Sequence, residues 1–153
     1  MSLPRRLAVL TPAVAATALL LAGCSPAAES TGVSVLASFY PLQYVVQQVG
    51  GDHVTVTSLT PPGAEPHDIE LSPRQVREVG DADLVVYLSG FQSAVDEALA
   101  SRTPARVVDA AAVPVIAEQM STQSAAEEAS GGIHSLDPHF WLDPTLLAAL
   151  APE

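Results

Sequence analysis

The run Asp83-Leu84-Val85-Val86-Tyr87-Leu88-Ser89 restricts the folds open to this chain more than any other stretch. A strand lying on a domain surface alternates apolar with polar residues. This run has no polar face and is bounded by turn signals, as a strand buried on both sides is. Such a strand needs a layer of structure against each face, and the flanking sequence supplies helices. Leu42, Val45, Val46 and Val49 recur at i, i+3, i+4 and i+7 behind Pro41, which suits a first helical position, and Gly50-Gly51 ends that helix. Ser72-Pro73 reads as an N-cap and first residue of a second helix through Gln75, Val76 and Val79 to Gly80, and a third covers residues 91–99. Residues 33–37, 53–59 and 106–109 read as further strands, the second by its alternating β-branched residues. The order β, α, β, α, β, α, β predicts an α/β fold with a mostly parallel four-stranded sheet flanked by helices. Ligands of such sheets bind outside the carboxyl ends of the strands, where the Pro- and Gly-rich loop 60–68 carries His67. Residues 118–132 are mainly Ser, Ala, Glu, Gln and Gly with little periodicity, and 117–136 read as a mobile acidic loop.

A chain of 153 residues holds one domain with a real core but not two sizeable ones. Its net charge of −11 and lack of Lys argue against nucleic acid or an anionic membrane surface as partner, and are compatible with collecting cations. The single cysteine, Cys24, excludes an internal disulfide and a thiolate metal cluster. Arg5-Arg6, the apolar residues 7–21 and Leu21-Ala22-Gly23-Cys24 look like a bacterial lipoprotein signal. On this reading residues 1–23 are a removed signal peptide, Cys24 is lipidated, and 24–32 form a flexible tether. The mature part would be extracytoplasmic, held to the membrane by lipid, with four Arg against 17 acids and a net charge of −13. The other readings are an uncleaved membrane anchor, for which the apolar run is short, and a twin-arginine signal resting on Arg5-Arg6 alone.

Two loop histidines, His67 and His139, each follow a proline and have Asp nearby. His139 lies in Asp137-Pro138-His139-Phe140-Trp141-Leu142-Asp143-Pro144, where two prolines stiffen the backbone around the only Trp. A neutral imidazole that ligates a metal needs an acceptor fixing its tautomer, and Asp68, Asp137 and Asp143 are candidates. The separation of the two histidines excludes a zinc finger or a helical HExxH pair, so any site is assembled by the fold, and two imidazoles are too few to close a tetrahedral zinc site. The plainer reading, a hydrophobic turn entering a helix with His139 a bystander, stays open on these residues alone. His53 reads as a solvated residue at a strand start, and His134 as a transient metal contact in a Gly-flanked loop.

Gly63-Ala64-Glu65-Pro66-His67-Asp68-Ile69-Glu70-Leu71-Ser72-Pro73, then Ala82-Asp83-Leu84-Val85-Val86-Tyr87, then the octapeptide around His139 resemble the metal-binding lipoproteins of zinc and manganese ABC importers. Ser38-Phe39-Tyr40-Pro41-Leu42 is similar to the start of that family, and the likeness runs from about Val33 to the end of the chain. The resemblance implies two α/β lobes joined by a long helix, with one divalent ion in the cleft. Here residues 33–136 would be the N-terminal lobe, and 137–153 the second ligand loop and the start of the joining helix, with the C-terminal lobe and its ligands absent. It implies His67 and His139 as metal ligands. The His-rich loop of many zinc members has no counterpart beyond His134, Glu118, Glu127 and Glu128.

The expected function is therefore an extracytoplasmic, lipid-anchored receptor that captures Zn²⁺, or alternatively Mn²⁺, for a membrane ABC permease, with no bond broken and hence no enzymatic activity. Another reading is a surface adhesion lipoprotein whose histidines are incidental. A zinc hydrolase would need a general base and a ligated water, which no residue here marks.

Overall fold

A computed structural model of the chain describes residues 32–129 and 137–152. The leader, Cys24, the tether up to Thr31 and His134 lie outside these residues. Four strands, β1 (Val33–Ala37), β2 (Val54–Ser58), β3 (Leu84–Tyr87) and β4 (Val107–Asp109), pair in parallel in the order β2-β1-β3-β4. The helices are α1 (Tyr40–Gly50), α2 (Pro73–Asp81), α3 (Ser93–Ser101), α4 (Pro114–Ala129) and α5 (Pro144–Ala148). Among the described residues no helix is long and apolar enough to cross a membrane.

The strand order dictates where the helices go. A parallel crossover is right-handed, so a connection that travels the other way across the sheet must pass over the other face. The step from β1 to β2 goes one way, while β2 to β3 and β3 to β4 go the other. Accordingly α1 packs on one face and α2 and α3 on the opposite one. The pleat divides the core along the same line. Val35, Ala37 and Val86 meet Leu42 of α1 together with Ile116, Met120 and Phe140, whereas Leu36 and Val85 meet Val79 of α2 and Val95 and Ala98 of α3. The apolar run around β3 is thus covered on both sides, as its lack of a polar face requires.

Local signals set the ends of elements. Ser72 caps α2 in a capping box: its Oγ accepts from Gln75 N–H, and the Gln75 side chain accepts from Ser72 N–H. Gly51 ends α1 at φ +51°, a conformation that favours glycine. β2 starts one residue later than the alternation suggested, because Gly51–His53 forms a 3-10 turn that leaves His53 exposed. That turn precedes β2, so His53 lies at the edge of the sheet opposite His67.

The acidic loop expected over 117–136 is overturned in its first part, since α4 continues to Ala129. Pro114 opens the helix, and Ala, Gln, Glu and Met favour it intrinsically. Over its described side chains, residues 114–124, the buried stripe is Ile116, Met120 and Ser124 at a spacing of four, a pattern too narrow and too small in side-chain size to stand out. Residues 130–136 lie outside the described part.

Leu42, with no exposure, is the fully buried residue of α1 and packs in the core under the sheet. Leu42→Ala should lower the unfolding free energy by about 2–5 kcal/mol through transfer loss and cavity formation. Val49→Ala on the same helix, at a residue 59% exposed, should change it by less than about 0.5 kcal/mol. Urea unfolding of both variants measures the contrast.

Candidate functional site

All four strands deliver their C-terminal ends to one edge of the sheet. β1 and β3 lie side by side there, but the chain leaves them in opposite directions, which opens a crevice between the loops that follow. The loop after β1 begins with Ser38 and Phe39, and the loop after β3 contains Gly90, Phe91 and Gln92. Gly90, at φ +77°, turns the chain. Two carboxylates hold that turn: Asp109 accepts from Ser89 N–H at 3.0 Å and Asp96 from Gly90 N–H at 3.1 Å. Burial pushes the Asp96 carboxyl above its ordinary pKa, and the nearby Asp109 charge adds to this against the pull of the Gly90 N–H.

His67 comes from the loop after β2. It sits in a 3-10 turn, Pro66–Asp68, whose N-cap Glu65 accepts the His67 N–H at 3.3 Å. The loop is fastened from beneath. Gln92 Nε2 donates to the Pro66 carbonyl at 2.8 Å and to Thr60 Oγ1 at 2.9 Å, and the Thr60 hydroxyl donates to the Ser38 carbonyl at 2.7 Å. The exposed imidazole meets the Phe91 ring edge to face, with centroids 4.5 Å apart.

His139 opens a second 3-10 turn, His139–Leu142. Its backbone N–H and its Nδ1 both lie against one oxygen of Asp137, at 2.9 and 2.6 Å. An ionised carboxylate only accepts, so Nδ1 carries the proton, and in the neutral ring Nε2 is left with its lone pair. Partial burial raises the Asp137 carboxyl, but the two hydrogen bonds and the charge of the imidazole outweigh it and hold its pKa below the ordinary value. The ring is 52% exposed on its side-chain surface and lies 5.1 Å from Trp141.

The two histidines therefore rest on the two ends of one aromatic cluster. Phe91 and Trp141 are 6.0 Å apart, and Phe39, only 2% exposed, touches both at 4.9 and 5.0 Å. Of the three acceptor candidates, the structure brings Asp137 to an imidazole. Asp143 instead caps α5: its Oδ1 accepts from the Thr145 hydroxyl and N–H at 2.6 and 2.8 Å, which lowers its pKa. A helix opening with Pro144 needs a cap, and Asp is among the strongest. Asp68 ends the His67 turn and makes no hydrogen bond to an imidazole among the described residues. Phe91 and Gln92 were missed by sequence reasoning, which took Phe91 as the first residue of a helix. Their signal was positional: both follow Gly90 at the carboxyl end of the most buried strand. Among the described residues, no three His, Cys, Asp or Glu side chains are grouped to hold a metal ion.

Comparison with known proteins agrees with the resemblance carried by the motifs. The family described as zinc-uptake complex component A, periplasmic, matches residues 35–153. The high-affinity zinc uptake system protein ZnuA of Bacillus subtilis is 33% identical over 145 residues, covering 87% of this chain and 46% of that protein. The manganese-binding lipoprotein MntA of Halalkalibacterium halodurans is 34% identical over 133 residues, covering 82% of this chain and 40% of its own length. In the crystal structure of the Zn(II)-bound ZnuA-like domain of Streptococcus pneumoniae AdcA, 41% of that chain superposes on 79% of this one with a TM-score of 0.59 at 26% identity. The chain spans less than half the length of the curated relatives it matches. With its sheet order, its two histidine loops and a match over most of its length, the chain belongs to the periplasmic zinc-uptake complex component A family.

Proposed function

We propose that this chain supplies half of the metal site of an extracytoplasmic receptor that captures a divalent cation for an ABC importer, with His67 and His139 as ligands. The observation that carries the reading is the Asp137–His139 contact at 2.6 Å. A carboxylate on Nδ1 fixes the tautomer and ring orientation and leaves the Nε2 lone pair free, the arrangement that accompanies metal-ligating histidines. The aromatic cluster gives both rings a stiff, apolar floor, which reduces the entropy lost on coordination. Two imidazoles leave a tetrahedral ion incomplete, so the remaining ligands come from polypeptide that the longer relatives possess beyond the matched length. No bond is made or broken in such a cycle. The ion is cargo.

Imidazole nitrogen favours zinc, whereas a set rich in carboxylate oxygen favours manganese. Zinc is the leading cargo on the two ligands present, and the likeness to a manganese-binding lipoprotein supports manganese as the second reading. Attachment through Cys24 would keep the receptor beside its permease, with one lipidated residue in place of a spanning helix.

Zinc titration calorimetry should give measurable but weak binding to this chain, far weaker than to a two-lobe relative. His67→Ala and His139→Ala should each reduce the affinity at least about tenfold, and an unchanged isotherm for both would sink the assignment. Asp137→Asn should cost about tenfold while leaving both ligands in place. Bound zinc should also raise the melting temperature, because it binds only the folded chain. Partition into detergent on phase separation tests the anchor: the wild-type lipoprotein enters the detergent phase and Cys24→Ser stays in the aqueous one.

A further inference from the structure

The geometry points to Gln92 as a positioning residue for His67, an inference that rests on reading His67 as a metal ligand. Gln92 is 1% exposed and lies in the loop after β3, away from solvent, with its amide N–H groups turned to Thr60 and Pro66. Its amide orientation is fixed by its partners. The Thr60 hydroxyl spends its proton on the Ser38 carbonyl, so Thr60 Oγ1 can only accept from the amide, and the Pro66 carbonyl can only accept as well. Both N–H groups of one side chain are thereby used, and the loops after β1, β2 and β3 are joined at a single buried point.

The grip falls immediately before the ligand. Residues 61–65 are exposed, Pro66 has no N–H of its own, and the His67 N–H is used locally by Glu65. The Pro66 carbonyl is therefore the handle by which the body of the fold holds the histidine loop. The other contact, the edge of the His67 ring on Phe91, is apolar and permits rocking.

The second amide atom argues for position over stability. Gln92 Oε1 is buried with no hydrogen-bond partner among the described residues. An orphaned buried acceptor carries a desolvation cost that an apolar side chain of similar volume would not. The amide thus adds little net stability beyond what Leu could give; what it adds is direction, two donors aimed at two loops. Without it His67 keeps its place in the sequence but samples more orientations, and binding must order it.

The test compares wild type with Gln92→Leu, with Thr60→Val as a second variant that removes the link to Ser38. Cobalt(II) titration followed by d–d absorption, zinc competition, urea unfolding and backbone ¹⁵N relaxation are measured on each. Gln92→Leu should bind about tenfold more weakly, as loss of an outer support typically does, while its unfolding midpoint hardly moves. In the metal-free protein the order parameter at His67 should fall toward the flexible range, below about 0.6, with the sheet unchanged. An unchanged order parameter at His67 overturns the positioning role whatever the metal data give. A loss of affinity that only follows a loss of stability overturns it too. If wild type binds neither cobalt nor zinc, the ligand reading of His67 fails instead, and the relaxation data still decide whether Gln92 holds the loop. Should Gln92→Leu not fold, Thr60→Val and Gln92→Met carry the same comparison.

Discussion

The pairing of β1 with β3 is the contact on which the rest of this fold depends. It joins segments distant in sequence: the Ser34 N–H donates to the Asp83 carboxylate across 49 residues, and the register then runs from Val35 opposite Leu84 to Ala37 opposite Val86. Once the two strands are neighbours, β2 and β4 can only add outside them. Handedness assigns α1 to one face and α2 and α3 to the other. The crevice at the carboxyl edge follows without further design, since the backbone departs from adjacent strands in opposite directions. The functional loops are a consequence of sheet topology, and their exact chemistry is then free to vary.

What converts that crevice into a candidate metal site is stiffness. A cation held by few ligands gains affinity only if those ligands are already oriented, because each free side-chain torsion must be frozen on binding. Here the orientation has two sources of different kind. His139 is held through polar contacts, with Asp137 fixing both backbone and ring. His67 is held through its loop, by the buried Gln92 amide beneath Pro66 and by the Phe91 ring beside it. Phe39 lies under both arrangements, so packing in the core and geometry at the surface are mechanically linked.

Much of this was legible in the sequence because it depends on local rules. The lack of a polar face in Leu84–Tyr87 required two covering layers, Ser72-Pro73 with Gln75 spelled out a helix start, and Pro-flanked histidines next to Asp marked the two loops. The failures have physical causes. α4 buries Ile116, Met120 and Ser124 along a thin stripe, so its helical character rests on propensity and docking, which a search for apolar periodicity does not detect. Asp143 and Asp137 look equivalent around His139, yet one precedes Pro144 and is drawn into capping while the other lies two residues before the imidazole it contacts. For Gln92 the sequence marks the place, just after Gly90 at the end of a buried strand, but not the role, because its partners, Thr60 and Pro66, lie 32 and 26 residues away.

For the proposed site, an aromatic floor and a divalent ion are compatible only if opposite charge lies close by. Moving a dication toward apolar rings is costly unless opposite charge is close. The overall net charge of −11 acts on an ion at a distance and is screened beyond about 10 Å at ordinary salt, so it concentrates cations nearby without stabilising one in place. Asp137 is different. Its hydrogen bonds from His139 keep it ionised below the ordinary carboxylate range, so one full negative charge stays in contact with the ring that would hold the ion. Through Nδ1 that charge fixes the tautomer that leaves the Nε2 lone pair free to face an ion. The division of labour is then plain: the Trp141 ring beside His139 supplies orientation, and the Asp137 carboxylate supplies the charge.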